Sequence, residues 1–261
     1  MAILVTGGAG YIGSHLVYGL ADAGEQPVVI DNLSAGFQKS LPPDIPLIIG
    51  NCGNSELVSG VLRQHAISAV IHLAGSISVS ESIARPDLYF ENNVNTTQAL
   101  VNVAIKHGVD QFIFSSSAAV YGQPSQIPVT ETAPTVPVSP YGQSKLLGEE
   151  LLQRAGASHG LRSVMLRYFN VAGADPLLRT GQSALDSSHV IKRPFRLRSD
   201  YLPSLNYTAT TMRHATEHAF AIISTSRTSF ESTLRHYVTS ARAGNRCSSI
   251  AEVEMAFRSM K

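Results

Sequence analysis

Short runs of Val, Ile and Leu recur through the first two thirds of the chain without clean polar/apolar alternation, and each is followed by a stretch with helical spacing. The runs predict strands at Ala2–Val5, Pro27–Ile30, Ile45–Gly50, Ala69–Leu73, Gln111–Ser115 and Ser163–Leu166. Between them the spacing predicts helices near Ile12–Ala23, Ser55–His65, Leu88–His107 and Tyr141–Ala155. Strands that are apolar on both faces belong in a sheet covered on both sides, and strict strand-helix alternation makes that sheet parallel. The expected fold is therefore α/β: a doubly wound, Rossmann-like parallel sheet. The proline-rich, short-polar stretch from Gly122 to Pro140 reads as a long ordered loop above the carboxyl edge of the sheet, where ligands bind in such folds.

The first strand runs directly into Thr6-Gly7-Gly8-Ala9-Gly10-Tyr11-Ile12-Gly13, which opens the first helix. Glycines at 7, 10 and 13 suit a tight strand-to-helix turn, close approach of backbone to a pyrophosphate, and close helix-sheet packing. The N–H groups at the helix start would face the phosphates. The second strand ends at Asp31, whose carboxylate can accept hydrogen bonds from adenosine ribose hydroxyls and would repel a 2'-phosphate. Together these features favour NAD over NADP.

Composition narrows the class further. The 261 residues are 44% hydrophobic with a formal net charge of +1, as expected of a soluble enzyme without a nucleic-acid partner. Cys52 and Cys247 are too few for a disulfide scaffold and lie in no metal-ligand cluster, so no metal is expected and a reduced, cytoplasmic setting is. No apolar run long enough to span a membrane occurs. The character of the chain changes near Ile191: 19 of the 20 glycines precede it, and the balance of 9 basic and 14 acidic residues before it becomes 11 and 5 after it. Two regions are therefore expected, an NAD-binding domain over 1–175 and an incomplete or aberrant substrate-binding region over 176–261. The basic residues of the second region are scattered and not interleaved with aromatics, unlike a nucleic-acid surface.

Candidate chemistry sits on the later strands and helices. Tyr141 and Lys145 are four apart at the head of a predicted helix, so they share a face. The lysine charge is expected to lower the phenol from its ordinary pKa of about 10 toward a range useful for proton exchange with a sugar hydroxyl. Ser115-Ser116-Ser117 ends the fifth strand at the same edge, and Ser117 can share a hydrogen bond with the reacting oxygen.

The segments TGGAGYIGSH (6–15), IDNLS (30–34), HLAG (72–75), ENNVN (91–95), FSSSAAVYG (114–122), SPYGQSK (139–145) and LRYFNVAGADP (166–176) resemble the UDP-glucose 4-epimerase family of the extended short-chain dehydrogenase/reductase superfamily. The resemblance implies a tightly held NAD and reversible interconversion of UDP-galactose and UDP-glucose through a 4-keto intermediate. It assigns Ser117, Tyr141 and Lys145 as catalytic residues. It places Gly7, Gly10, Tyr11, Ile12, Gly13, Asp31, Asn32, Asn51, Cys52, Leu73, Ala74, Gly75, Asn92, Tyr141, Lys145, Tyr168 and Phe169 around the cofactor. Ser117, Tyr141, Phe169 and Asn170 would meet the nucleotide-sugar, and a homodimer is implied. Asn51 and Cys52 stand where relatives often have Asp-Ile, Ile77 where they often have a cofactor-contacting Lys, and Ala119 where many have Thr. Ser117-Ala118-Ala119 lacks the Asp-Glu pair that dehydratases use for elimination. An epimerase of another UDP-sugar, or a non-catalytic NAD-binding remnant, are the alternatives.

After His189-Val190-Ile191-Lys192 the family pattern stops. Residues 217–228, EHAFAIISTSRT, can be encoded by codons that, read one nucleotide earlier, give Gly-Thr-Cys-Val-Arg-Asp-Tyr-Ile-His-Val-Ser-Asp, which resembles a downstream motif of the same family. A frameshift between about 193 and 205 accounts for this. Sequencing the gene should reveal an alternative frame that continues the family pattern; an intact frame with no homologous alternative would overturn the expectation.

Overall fold

The computed structural model describes residues 1–168, 171–182 and 221–222. Strands Ala2–Thr6 (β1), Gln26–Asp31 (β2), Leu47–Ile49 (β3), Ala69–His72 (β4), Gln111–Ser115 (β5) and Arg162–Leu166 (β6) form one sheet. Its order is β3-β2-β1-β4-β5-β6 and every pairing is parallel. Strand order reverses direction between β1 and β4, so a crevice opens there at the carboxyl ends.

The apolar strands explain the layering. One face, carrying Leu4, Val28, Ile30, Val70, Phe112 and Phe114, packs with helices Ser55–Gln64 (α2), Thr96–Lys106 (α5) and Pro140–His159 (α6) through Val58, Leu62, Leu100, Ala104, Leu151 and Leu152. The opposite face, carrying Ile3, Val5, Val29, Ile71, Ile113 and Leu166, packs with helix Tyr11–Asp22 (α1) through Leu16, Val17 and Leu20. Each fully buried Leu, Ile or Phe contributes roughly 1.5–3 kcal/mol from removal of its surface from water. Among the described residues no helix is long and apolar enough to cross a membrane.

Several boundaries differ from the sequence expectation. β3 is shorter than Ile45–Gly50, and β2 extends by one residue at each end, to Gln26 and Asp31. α6 starts at Pro140 and runs to His159: Ser139 Oγ accepts from the Gly142 N–H at one end, and Gly160 closes the other. The single helix expected over Leu88–His107 is in fact broken. It comprises Pro86–Tyr89 (α4), a π-helical turn over Phe90–Asn95, and α5, and is preceded by an unexpected short helix, Val79–Ala84 (α3). Threonine hydroxyls accompany the break: Thr96 donates to the Glu91 carbonyl and Thr97 to the Asn93 carbonyl. Such side-chain bonds are invisible to apolar periodicity.

Residues 171–182 return to α1. The Tyr11 hydroxyl donates to Gly173 O at 2.7 Å, Ser14 and Thr180 hydroxyls lie 2.7 Å apart, and Arg179 forks between Asp22 and Asp175 over the Tyr18 ring. Val171–Ala172 (β7) also pairs in parallel with Ala221–Ile222 (β8). The remainder of the expected 176–261 region, including 217–228 apart from this pair, lies outside the described residues.

Two buried polar links hold the carboxyl edge. His72 bridges Thr6 Oγ1 (2.6 Å) and Thr97 Oγ1 (2.9 Å). Because Thr97 donates to Asn93 O, it accepts from His72 Nε2–H, which leaves Nδ1 to accept from Thr6. Glu149, 1% exposed, takes two bonds from the Arg167 guanidinium and one from Ser116 Oγ, and Arg167 also donates to the Tyr121 hydroxyl at 3.0 Å.

Burial, and secondarily the charge of Lys145, pushes His72 down from 6.5 to about 3. Above pH 6.5 both folded and unfolded chains hold it neutral; as pH falls from 6.5 toward 3 the unfolded chain takes up a proton that the folded chain refuses. Stability should therefore fall across that window, and His72→Gln should flatten the slope measured by urea unfolding at stepped pH. Glu149→Gln, which leaves the Arg167 charge poorly compensated, should lower the unfolding free energy by about 3 kcal/mol at neutral pH in the same assay.

Candidate active site

The turn from β1 to α1 is tightly built. Gly7 has φ +71°, and a Cβ there would lie 2.6 Å from Ala74 N; a Cβ on Gly13 would lie 2.2 Å from Gly7 O. Gly10 differs: a Cβ there would meet only Gly7 O within 4 Å, so this position borders open space. Gly10 is also the N-cap of α1 and supplies no side-chain acceptor. The first-turn N–H groups, including those of Tyr11, Ile12 and Gly13, thus have no intrahelical partner and suit an anion. Asp31, at the end of β2, accepts from Ala9 N–H at 2.9 Å and from Leu33 N–H at 2.8 Å. Its carboxylate therefore stiffens the glycine turn and retains acceptor capacity for a diol. Cradle, helix start and acidic group all fit a dinucleotide.

Leu73, Ala74 and Gly75 form the opposite rim. Leu73 N–H donates to Thr6 O at 3.0 Å, and the Ala74 backbone lies against Gly7. Asn32 is exposed and accepts from Ser34 N–H, while Asn51 accepts from Gly53 N–H. The Cys52 side chain is buried in the core beside Thr6, and burial pushes its thiol up to about 11, so it stays protonated. Asn92 donates to Ser76 Oγ at 2.9 Å. Ile77 is exposed in the next stretch.

The candidate reactive groups converge beyond β5. Ser117 caps the turn Ala118–Tyr121 by accepting from Ala119 N–H, and Ala118 N–H donates to Tyr168 O at 3.0 Å, which ties this loop to the exit of β6. The Ser117 hydroxyl lies near enough to the Tyr141 phenol to favour its charged form. Tyr141 packs edge-on against Tyr89, with centroids 6.3 Å apart and planes at 87°. One turn along α6, Lys145 is 3% exposed; its Nζ lies 6.0 Å from the Tyr141 ring centroid and 5.2 Å from that of Phe114. Burial pulls Lys145 down to about 8.

One electrostatic expectation is corrected. Tyr141 is shifted up, not down: burial dominates, and the nearby Ser117 hydroxyl opposes it. Lysine proximity read from a four-residue spacing did not include the cost of desolvating both groups. Tyr168 is buried, its hydroxyl paired with Ser115 Oγ, and its pKa is also raised by burial. Phe169 and Asn170 lie outside the described residues.

Sequence reasoning missed Tyr89, Asn93, Ser144 and the Glu149–Arg167 pair, all of which adjoin the reactive residues. The only hint was the polar run Asn92-Asn93 followed by Thr96-Thr97 inside a supposed amphipathic helix.

This geometry has close counterparts. Residues 3–196 match the model of the NAD dependent epimerase/dehydratase family. The UDP-glucose 4-epimerase of Azospirillum brasilense is 53% identical over 190 residues, covering 73% of this chain and 55% of that protein. The UDP-glucose 4-epimerase of Halalkalibacterium halodurans is 46% identical over 191 residues, covering 73% and 57%. Among solved structures, the Brucella ovis UDP-glucose 4-epimerase in complex with NAD superposes with a TM-score of 0.72 at 40% identity, over 74% of this chain and 59% of that one. The Bifidobacterium longum UDP-glucose 4-epimerase in complex with NAD+ and UDP gives 0.67 at 36% identity, over 71% and 58%. The chain thus spans just over half the length of these curated relatives. With its glycine cradle, its acidic strand end and its Ser117–Tyr141–Lys145 cluster on a 3-2-1-4-5-6 parallel sheet, the chain belongs to the NAD dependent epimerase/dehydratase family.

Proposed function

We propose that the protein acts on UDP-galactose and UDP-glucose, interconverting them by epimerisation at C4 with a tightly bound NAD. The observation that carries this reading is the convergence of Ser117 and Tyr141, with Lys145 one helical turn away, at the carboxyl edge that also holds the glycine cradle. Relatives whose structures contain NAD, or NAD+ and UDP, support the cofactor and the nucleotide-sugar class.

When bound, the nicotinamide would accept hydride from C4 of the sugar and return it to the opposite face. Tyr141 takes the proton from O4 and later restores it, which requires its phenolate at the moment of transfer. Ser117, beside the phenol, donates to the reacting oxygen. Lys145 stands behind Tyr141 with its amine already lowered to about 8, so a proton can be exchanged near neutral pH. Asp31 and the first turn of α1 hold the adenosine ribose and pyrophosphate. Gly7 to Gly13, Asn32, Asn51, the Cys52 backbone, Leu73 to Gly75, Asn92 and Tyr168 complete the cofactor surround in this reading, and Phe169 and Asn170 would meet the nucleotide-sugar.

Ala118 and Ala119 beside Ser117 offer no carboxylate for elimination, which favours epimerisation over dehydration. The span of just over half the relatives' length favours one second reading, an NAD-binding remnant without turnover. The reading further includes a homodimer, a cytoplasmic setting and a division into an NAD-binding unit over 1–175 and a substrate-binding region over 176–261.

Purified protein should carry NAD and interconvert the two nucleotide-sugars. Tyr141→Phe should lower that rate at least about 100-fold while NAD occupancy is retained. Undiminished turnover by the variant would overturn the assignment of Tyr141, and bound NAD with no turnover by the parent would establish the remnant.

A further inference from the structure

Ser117 stands between two residues that reach the same ion pair. Ahead of it, Ser116 Oγ donates to Glu149 Oε1; behind it, at the far end of the turn Ala118–Tyr121, the Tyr121 hydroxyl accepts from Arg167 at 3.0 Å. Arg167 forks onto the carboxylate, with Nε 2.8 Å from Oε1 and Nη2 on Oε2, and its guanidinium carbon lies 4.9 Å from the centroid of the Tyr121 ring. Ser116, Tyr121 and Glu149 are buried, and the Arg167 side chain is only 11% exposed. Glu149 also follows Lys145 by four residues on α6, a spacing at which a carboxylate and an ammonium can pair along a helix. Arg167 and Ser116 occupy that carboxylate instead, while Lys145 faces the rings of Phe114 and Tyr141.

We propose that Glu149 and Arg167 are positioning residues: their ion pair grips the chain on both sides of Ser117, at Ser116 and at Tyr121, and so sets where Ser117 presents its hydroxyl. Net stability is a poor reason for such a pair. The attraction between two buried charges roughly offsets the cost of removing them from water, and well-packed apolar side chains of the same volume often serve as well. What apolar packing lacks is direction. A planar guanidinium carries its donors in a rigid fork, so seating two of them on Glu149 fixes where the third meets Tyr121. Ser116 takes its place from the same carboxylate, which ties the end of β5 to α6. Lysine at position 167 would keep the positive charge beside Glu149, but a compact ammonium on a flexible stem holds no fixed angle between the carboxylate and Tyr121. This inference rests on the reading of Ser117 as donor to the reacting oxygen, but the grip on the turn can be tested without turnover.

The test uses the full chain as purified, with Ser116→Ala, Tyr121→Phe and Arg167→Lys. Amide hydrogen exchange is followed by mass spectrometry at Ala118 and Gly122, whose N–H groups bond to Tyr168 O and Ala119 O, with the amides of β1 as reference. NAD bound per chain, and kcat and KM for UDP-galactose, are measured on the same samples. Ser116→Ala and Tyr121→Phe, each lacking one oxygen, should speed exchange in the turn about tenfold while β1 keeps its parental rate. Each should lower kcat about tenfold, with KM within about twofold and NAD occupancy unchanged, since only alignment is lost. Arg167→Lys should match Tyr121→Phe in both respects, whereas charge compensation alone would leave it like the parent. Parental exchange in the turn of Ser116→Ala and Tyr121→Phe would overturn the proposal whatever the activity. Exchange that rises equally in β1, or that rises in the turn while kcat stays parental in an active enzyme, would overturn it as well. Should the parent turn nothing over, the functional reading fails, and exchange alone decides whether the ion pair holds the turn. Should Arg167→Lys not fold, Ser116→Ala and Tyr121→Phe decide the proposal.

Discussion

Polar side chains are buried all along the carboxyl edge of the sheet, and each must find its partner inside the protein because water cannot reach it. Thr6, His72, Thr97, Asn93 and Ser144 form one continuous series, and Ser116, Glu149 and Arg167 form another. The first series ties β1 and β4 to the π turn, α5 and α6; the second ties the end of β5 and the exit of β6 to α6. The apolar layers above and below set the thickness of the molecule, but they are non-directional. Directional bonds along this edge determine how α6 lies relative to the glycine turn, and so where the reactive groups stand.

The same constraint shapes the chemistry. Lys145 is enclosed by the Phe114 ring, the Gly75 backbone and the Tyr141 ring, and burial makes its amine easier to deprotonate. Tyr141 experiences the opposite consequence of the same dryness, since burial disfavours its phenolate. One desolvated pocket therefore separates the amine from the phenol, whose proton affinities nearly coincide in water, and leaves the amine the easier of the two to deprotonate. The Ser117 hydroxyl beside the phenol counters part of that cost, while Tyr89 packs edge-on against the ring. These residues are contributed by the loop after β5, by α6 and by α4, so their convergence depends on the parallel register of the sheet.

Much of this was legible in the letters. The strand runs located all six sheet strands to within a few residues, because burial on both faces requires apolar side chains at every position. The glycine turn was legible because Gly7 and Gly13 admit no side chain at their contacts. Ser117, Tyr141 and Lys145 were legible through family resemblance, and the structure brings all three together. The break inside Leu88–His107 was not, since an extra residue in a helical turn changes the face of every later side chain without changing composition. Nor was the direction of the Tyr141 shift, which depends on how much water the folded chain excludes.

The sequence by itself determined the class of fold, the glycine turn behind β1 and the residue types that meet beyond β5. Each depends on local requirements: periodic burial, a turn without Cβ atoms, or a residue type at a fixed spacing. Only the tertiary structure decided that Asn93 and Ser144 join the rim to α6, that Glu149 belongs to Arg167 rather than to Lys145, and that Cys52 turns its thiol into the core. Those outcomes are set by which polar groups are left facing one another once separate segments pack, and a pairing between residues 51 positions apart, as for Asn93 and Ser144, leaves no periodic trace in the chain.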